Sequence, residues 1–284
     1  MKHVLVGVDG SDAAAAALGW AGRLARLVDA EVVVATAFRP DQAEVSPEHY
    51  EELKREAEHR LADEWSEPLR DSAVQHRAVL VAGAPDMLLD VAEREDADLI
   101  VVGPRGHGTF ASLHIGSVAH YLANHTRRPL AIVPEPGAQA AVGRIVLGVD
   151  GSEGSDAAAH WCADLAGAVN AEVLAVYAFE PFVEWVPESD PRSWRQEAER
   201  EITEWVAPLR AAGVSVQTRI IKDIHPVAAL AGAIDGESAG LAVVGTRGRG
   251  GFRGLRVGRV PIQLVHHTQM PMILVPAPTP DTAA

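Results

Sequence analysis

The sequence predicts an α/β protein of two domains, each a five-stranded parallel sheet with helices on both faces. Three observations carry that prediction. Short apolar runs alternate with helical stretches in the order βαβαβαβαβ, the pattern of a parallel sheet. The chain then starts again: HVLVGVDGS at 3–11 returns as RIVLGVDGS at 144–152, and AEVVVATAF at 30–38 returns as AEVLAVYAF at 171–179. Finally, LIVVGPRGHGTFASLHIGSV at 99–118 and LAVVGTRGRGGFRGLRVGRV at 241–260 share one glycine spacing, G-x2-G-x9-G. A period of 141 or 142 residues is too long for a solenoid repeat and marks duplication of a whole domain.

The elements follow in order. HVLVGVD (3–9) is strand one, and Asp9-Gly10-Ser11 turns the chain into a helix. Ser11 is suited to cap that helix, whose apolar positions Ala14, Leu18, Ala21, Ala25 and Val28 recur at helical spacing. Asp29-Ala30 closes it before strand two, EVVVATA (31–37). A polar loop over 38–47 leads to a Glu/Lys/Arg-rich amphipathic helix spanning Glu48 to Leu69, with one face in solvent. HRAVLV (76–81) is strand three, and Pro85 suits the first turn of a helix over 86–95. The apolar run 99–102 is a buried strand four, a helix begins at Gly116-Ser117, and PLAIVP (129–134) closes the sheet.

Residues 134–142, PEPGAQAAV, lack periodicity and read as a spacer. The expected domains are therefore 1–136 and 144–277, with a linker at 137–143 and a flexible tail at 278–284. The second copy repeats Trp20 as Trp161, Pro85 as Pro226 and PLAIVP as PMILVP (271–276).

Composition excludes several classes. A net charge of −14 argues against nucleic acid or an anionic membrane as partner. The single cysteine, Cys162, cannot form an internal disulfide, which suits a cytoplasmic protein. MKHVLVGV is strand-like rather than a signal peptide, and no apolar run approaches the roughly 20 residues that span a bilayer. The three lysines, Lys2, Lys54 and Lys222, all lie away from the glycine loops, so a Walker-type phosphate loop is excluded.

The glycine loops carry the functional expectation. Each follows a strand and ends where a helix begins, so bare backbone and unpaired N–H groups can approach an anion. In doubly wound sheets, ligands bind beyond the carboxyl ends of strands where the strand order reverses. If strands one and four are neighbours, Asp9 faces Gly103 and Asp150 faces Gly245 across one nucleotide-sized crevice in each half. Asp9 and Asp150 could also be turn residues, and Ser117 could be only a helix cap.

On these residues the chain resembles tandem-domain universal stress proteins of the adenine-nucleotide-binding subgroup. The resemblance covers nearly the whole chain, twice over, and rests on VGVDGS, the G-x2-G-x9-G-[ST] loop and the closing strand that ends in proline. It implies Rossmann-like (HUP-type) domains that bind ATP through Asp9, Ala37, Gly103, Arg105, Gly106, Gly116, Ser117 and Val118. In the second half it implies Asp150, Ala178, Gly245, Arg247, Gly248, Gly258 and Arg259. Within that family the strand-one Asp lies by adenosine and the residue ending strand two meets adenine through its backbone. The first glycines line ribose and phosphates, and the final Gly-Ser/Thr holds phosphate oxygens. Arg259 departs from the motif's Ser or Thr; with Arg247, Arg249, Arg253 and Arg256 it either grips a terminal phosphate or fills the pocket.

The resemblance further implies a stress-response regulator whose nucleotide occupancy alters conformation or partner choice, not an enzyme. It also implies a homodimer and pseudo-two-fold pairing of the two domains through their closing strands. Asp9 and Asp150 could touch a Mg2+ ion accompanying ATP, but neither loop supplies a second carboxylate, so no metal site and no catalytic residue is assigned. The rival expectations are a slow ATP hydrolase or autophosphorylating phosphotransferase, and a scaffold in which the loops survive only for folding. His107, His114, His120, His125, His266 and His267 match no metal-ligand spacing and read as surface or packing residues. Cys162, Trp20 and Trp161 read as core.

Overall fold

The computed structural model describes residues 1–38, 46–70, 72–83, 86–106, 115–179, 191–222, 225–249 and 257–278. It divides into two compact units, Met1–Gln139 and Ala140–Ala284. Pro85, His107, His114, Arg253, Arg256, most of the expected 38–47 loop and the 279–284 tail lie outside the described residues.

The first unit contains β1 (His3–Gly7), α1 (Asp12–Val28), β2 (Glu31–Phe38), α2 (Pro47–His59), β3 (His76–Ala82), α3 (Met87–Arg94), β4 (Leu99–Val102), α4 (Ser117–His125) and β5 (Leu130–Ile132). Its strands are all parallel and lie in the order β3-β2-β1-β4-β5. The chain moves outward from β1 to β3, then crosses back to β4 and β5. Right-handed crossovers therefore put α1 and α2 on one face and α3 and α4 on the other. Strand order reverses between β1 and β4, where Val4, Leu5 and Val6 pair with Leu99, Ile100 and Val101. All six of these side chains are fully buried.

Local chemistry sets the helix ends. The Ser11 side chain accepts from Ala14 N at 3.2 Å and caps α1, and Asp29, at φ 54°, ends it in the left-handed conformation. One face of α1, including Ala14, Leu18, Trp20, Ala21 and Ala25, is buried. Trp20 is packed as expected from the sequence, at 1% exposure.

The expected single helix over 48–69 is corrected. Helix α2 ends at His59; a wide π-turn covers Arg60–Trp65 and a 3-10 turn covers Glu67–Leu69. None of the α2 side chains is buried, whereas Leu61, Ser66 and Leu69 are. Widening the turn lets Leu69 reach α1, so closely that a Cβ on Gly22 would stand 2.4 Å from its Cδ2. Pro68, without an N–H, could not have continued the helix anyway.

The second unit repeats the plan with β6 (Arg144–Gly148), α5 (Glu153–Val169), β7 (Glu172–Phe179), α6 (Pro191–Trp205), α7 (Ala207–Ala211), β8 (Val216–Lys222), α8 (Pro226–Gly236), β9 (Leu241–Gly245), α9 (Arg259–His267) and β10 (Met272–Val275). Its parallel order is β8-β7-β6-β9-β10, so the reversal falls between β6 and β9. Cys162 on α5 is fully buried, and burial pushes its thiol up to about 12. Trp161 beside it is only half-buried. Among the described residues no helix is long and apolar enough to cross a membrane.

Candidate functional site

At the reversal point of the first unit, the ends of β1, β2 and β4 and the start of α4 enclose a cavity of about 470 Å3. Every first-half residue singled out from the sequence lines it: Asp9, Ala37, Gly103, Arg105, Gly106, Gly116, Ser117 and Val118. The volume lies within the usual range for small-molecule sites, roughly 300–1,000 Å3. Its apolar lining includes Ala37, Leu88, Val102, Pro104 and Ile115; the start of α4 contributes Ser117 and His120.

Asp9 organises the floor. Its Oδ1 accepts from Ser11 N (3.1 Å) and Ser11 Oγ (2.6 Å), and that same hydroxyl caps α1. Asp9 thus serves the turn that the sequence suggested while also lining the cavity. Its Oδ2 lies against Gly106, where an added Cβ would stand only 1.7 Å away. Gly103 brings the loop close to α1, since a Cβ there would lie 3.0 Å from the Ala13 carbonyl carbon.

The loop closes through Gly116 N, which donates to Pro104 O at 2.6 Å. Gly116, not Ser117, is the N-cap of α4, and no side chain caps that end. Ser117 is the first helical residue, with its hydroxyl exposed beside the cavity. An uncapped helix start presents several N–H groups and a partial positive charge to whatever lies before it.

The second unit repeats the frame. Asp150 Oδ1 accepts from Ser152 N (3.0 Å) and Ser152 Oγ (2.6 Å), and Oδ2 accepts from Arg249 N (3.0 Å). A Cβ on Gly248 would lie 2.3 Å from that Oδ2, and one on Gly245 would lie 2.4 Å from the Gly154 carbonyl carbon. Ser152 Oγ is also within 3.1 Å of Arg247 O, and Gly258 N donates to Thr246 O at 2.7 Å. Asp150, Gly245, Arg247, Gly248 and Gly258 are therefore drawn into one loop cluster. Ala178 stands near the carboxyl end of β7, paired in register with Ile221, and Arg259 opens α9 with its side chain exposed.

Besides Arg259 in place of Ser117, the described residues show further differences between the two sites. Tyr177 replaces Thr36, and its ring packs edge-on to Trp205 with centroids 4.8 Å apart. Burial, reinforced by the Glu201 carboxylate, raises the Tyr177 phenol above its ordinary value. Arg249 lies over Trp205 at 5.0 Å and within 3.4 Å of Glu201 Oε1, which ties the second loop to α6. Pro261 occupies the third position of α9, where α4 has Ala119, so this helix start offers one N–H fewer. Ile262 takes the place of His120.

Sequence reasoning took His120 for a surface or packing residue and passed over Pro261 and the tryptophans Trp65 and Trp205. Both tryptophans cover the glycine after the strand-one Asp: Cβ atoms on Gly10 and Gly151 would meet them at 2.5 Å. Their recurrence 140 residues apart was the available signal. Among the described residues, no group of three His, Cys, Asp or Glu side chains is placed to hold a metal ion.

The profile of the Universal stress protein family matches residues 1–134 and again 142–276. A universal stress protein of Mycobacterium tuberculosis is 29% identical over 289 residues, covering 95% of both chains. Another from that organism is 30% identical over 291 residues, covering 95% of this chain and 96% of its own. A universal stress protein structure from Archaeoglobus fulgidus superposes with a TM-score of 0.74 over 97% of this chain and 98% of its own, at 16% identity.

Proposed function

The chain belongs to the universal stress protein family, and on that premise we propose that each unit binds an adenine nucleotide in its crevice and acts through occupancy rather than turnover. The observation that carries this reading is the first cavity's layout. It combines apolar side chains suited to a base, bare glycine backbone and an uncapped helix start suited to phosphates. ATP fits these residues. Arg105 and the first-turn N–H groups of α4 would meet its phosphate charge, and Ala37, Leu88 and Val102 its base.

The second unit keeps the Asp-glycine frame with an altered helix start. Pro261 removes one N–H and Arg259 adds a guanidinium, so its affinity for ATP should differ from that of the first. A regulator of this type would couple occupancy to conformation or partner choice in a stress response. It needs no rapid hydrolysis, for which neither loop supplies a metal-holding pair of carboxylates.

The test is calorimetric titration of nucleotide-stripped protein with ATP and Mg2+, in wild type and Gly116→Ala. Gly116 has φ −74°, and a Cβ there would lie 3.3 Å from Pro104 O and from Arg105 Cα. The backbone angles suit alanine, but the new methyl would press on the Pro104–Arg105 backbone, so the loop must give by a few tenths of an ångström beside the helix start. Two ATP per chain falling to one is the expected result. Absence of adenine-nucleotide binding in the wild type would overturn the reading.

A further inference from the structure

His120 lies on the wall of the first cavity at its α4 end, and we propose that it contacts the outer phosphates of the bound nucleotide, making this unit prefer triphosphates to monophosphates. The inference rests on the nucleotide reading and deepens it. His120 is the fourth residue of α4, counted from Ser117. Side chains on a helix tilt toward its N-terminus, so a residue at the fourth position lies back over the first turn. That turn holds Ser117, Val118 and Ala119, which line the cavity and whose N–H groups have no acceptor within the helix.

The cavity's layout sets the order along a ligand. With a base against Ala37, Leu88 and Val102, the phosphates would run toward the glycine backbone and the start of α4, where His120 also lines the cavity. An imidazole N–H there donates to a phosphate oxygen in either protonation state, and the protonated ring adds a charge. The side chain is exposed and so accessible to a phosphate. Its backbone is fixed independently: His120 N donates to Gly116 O at 2.9 Å, and Asn124 Nδ2 donates to His120 O at 2.8 Å.

The second unit supplies an internal contrast. There the equivalent residue is Ile262, which has no donor, and Pro261 before it lacks an N–H. At these two positions the first helix start therefore offers donors that the second lacks, while the second has the Arg259 guanidinium at its first position instead.

The experiment titrates the full-length protein with ATP, ADP and AMP by calorimetry, comparing wild type with His120→Leu, His120→Gln and Ile262→His. Replacing His120 by Leu should weaken ATP at the first site by about tenfold, as for loss of one charge-assisted hydrogen bond, and leave AMP within twofold. The Gln variant, which keeps an N–H donor, should recover most of the loss, and Ile262→His should tighten ATP at the second site. The thermal midpoint without nucleotide should stay unchanged in the two His120 variants, whose site is exposed. Parallel loss of ATP and AMP binding, or unchanged ATP binding in His120→Leu, would overturn the proposal while leaving the nucleotide reading intact. A wild type that binds none of the three nucleotides would overturn both.

Discussion

The Asp9 carboxylate presses against the bare α-carbon of Gly106, so closely that a methyl group there would stand 1.7 Å from Oδ2. Asp150 and Gly248 repeat the relationship at 2.3 Å. In each unit an acid from the end of the first strand is pinned by a serine on one side and by a glycine loop on the other. The glycines are thus required by contact with the carboxylate, since neither Gly106 nor Gly248 has the positive φ that favours glycine.

Alanine at either position must therefore push the loop off its carboxylate. Gly106→Ala should remove ATP binding from the first unit, and Gly248→Ala from the second, each lowering the calorimetric stoichiometry from two to one. Full stoichiometry in both variants would mean that the loops can shift without affecting the crevice.

The distribution of legible features has a physical cause. Helix α1 was readable to the residue because its start depends on one local hydrogen bond, from Ala14 N to Ser11, and its face on simple periodicity. Strand β4 was readable because LIVV is buried on both faces. The break after His59 was not readable, because it serves the burial of Leu61 and of Leu69, the latter against α1, more than 40 residues earlier in the chain. At the site, the glycines announced themselves through a repeated spacing. The exchange of Thr36 for Tyr177, and the position of His120 on the cavity wall, mean something only once the strand order brings β2 and α4 to the same crevice.

Asp98 ties the start of β1 to β4. Its Oδ2 accepts from the backbone N–H groups of Lys2 and of His3, the latter at 3.0 Å. Partial burial works to raise the pKa of this carboxyl, but the two backbone donors together prevail and hold it below its ordinary value. A depressed carboxylate stabilises the fold above its unfolded-state pKa, and the contribution disappears as pH falls through the folded value. Asp98→Asn should therefore cost about 1 kcal/mol at pH 7. The gap to wild type should close as denaturant titrations move down through the carboxylate range. A gap independent of pH would assign the effect to packing.

Cys162 should be inert in the folded protein. Burial without a partner charge pushes its thiol up to about 12, so thiolate is scarce near neutrality and access requires unfolding. The stabilisation from keeping this thiol neutral is present below its unfolded pKa and lost as pH rises through the folded value. An aromatic disulfide reagent at pH 8 should leave native protein unlabelled and titrate one thiol per chain in guanidinium chloride. Prompt labelling without denaturant would show that α5 opens readily.

Arg259 sits where helix electrostatics disfavour it. A cation at the first position of α9 faces the positive end of the helix dipole, a cost of about 0.3–1 kcal/mol in the absence of an anion. With Pro261 two positions later, the second site also lacks one backbone donor, so the guanidinium is the group left to complete phosphate recognition. Arg259→Ser restores the hydroxyl found at Ser117 and removes the misplaced charge. Without nucleotide it should raise the stability of the second unit by about 0.5 kcal/mol. It should also weaken second-site ATP binding several-fold, because Pro261 still withholds its N–H. Stability measured by chemical denaturation and affinity measured by calorimetry would thus move in opposite directions. If both instead rise together, Arg259 obstructs the phosphate position.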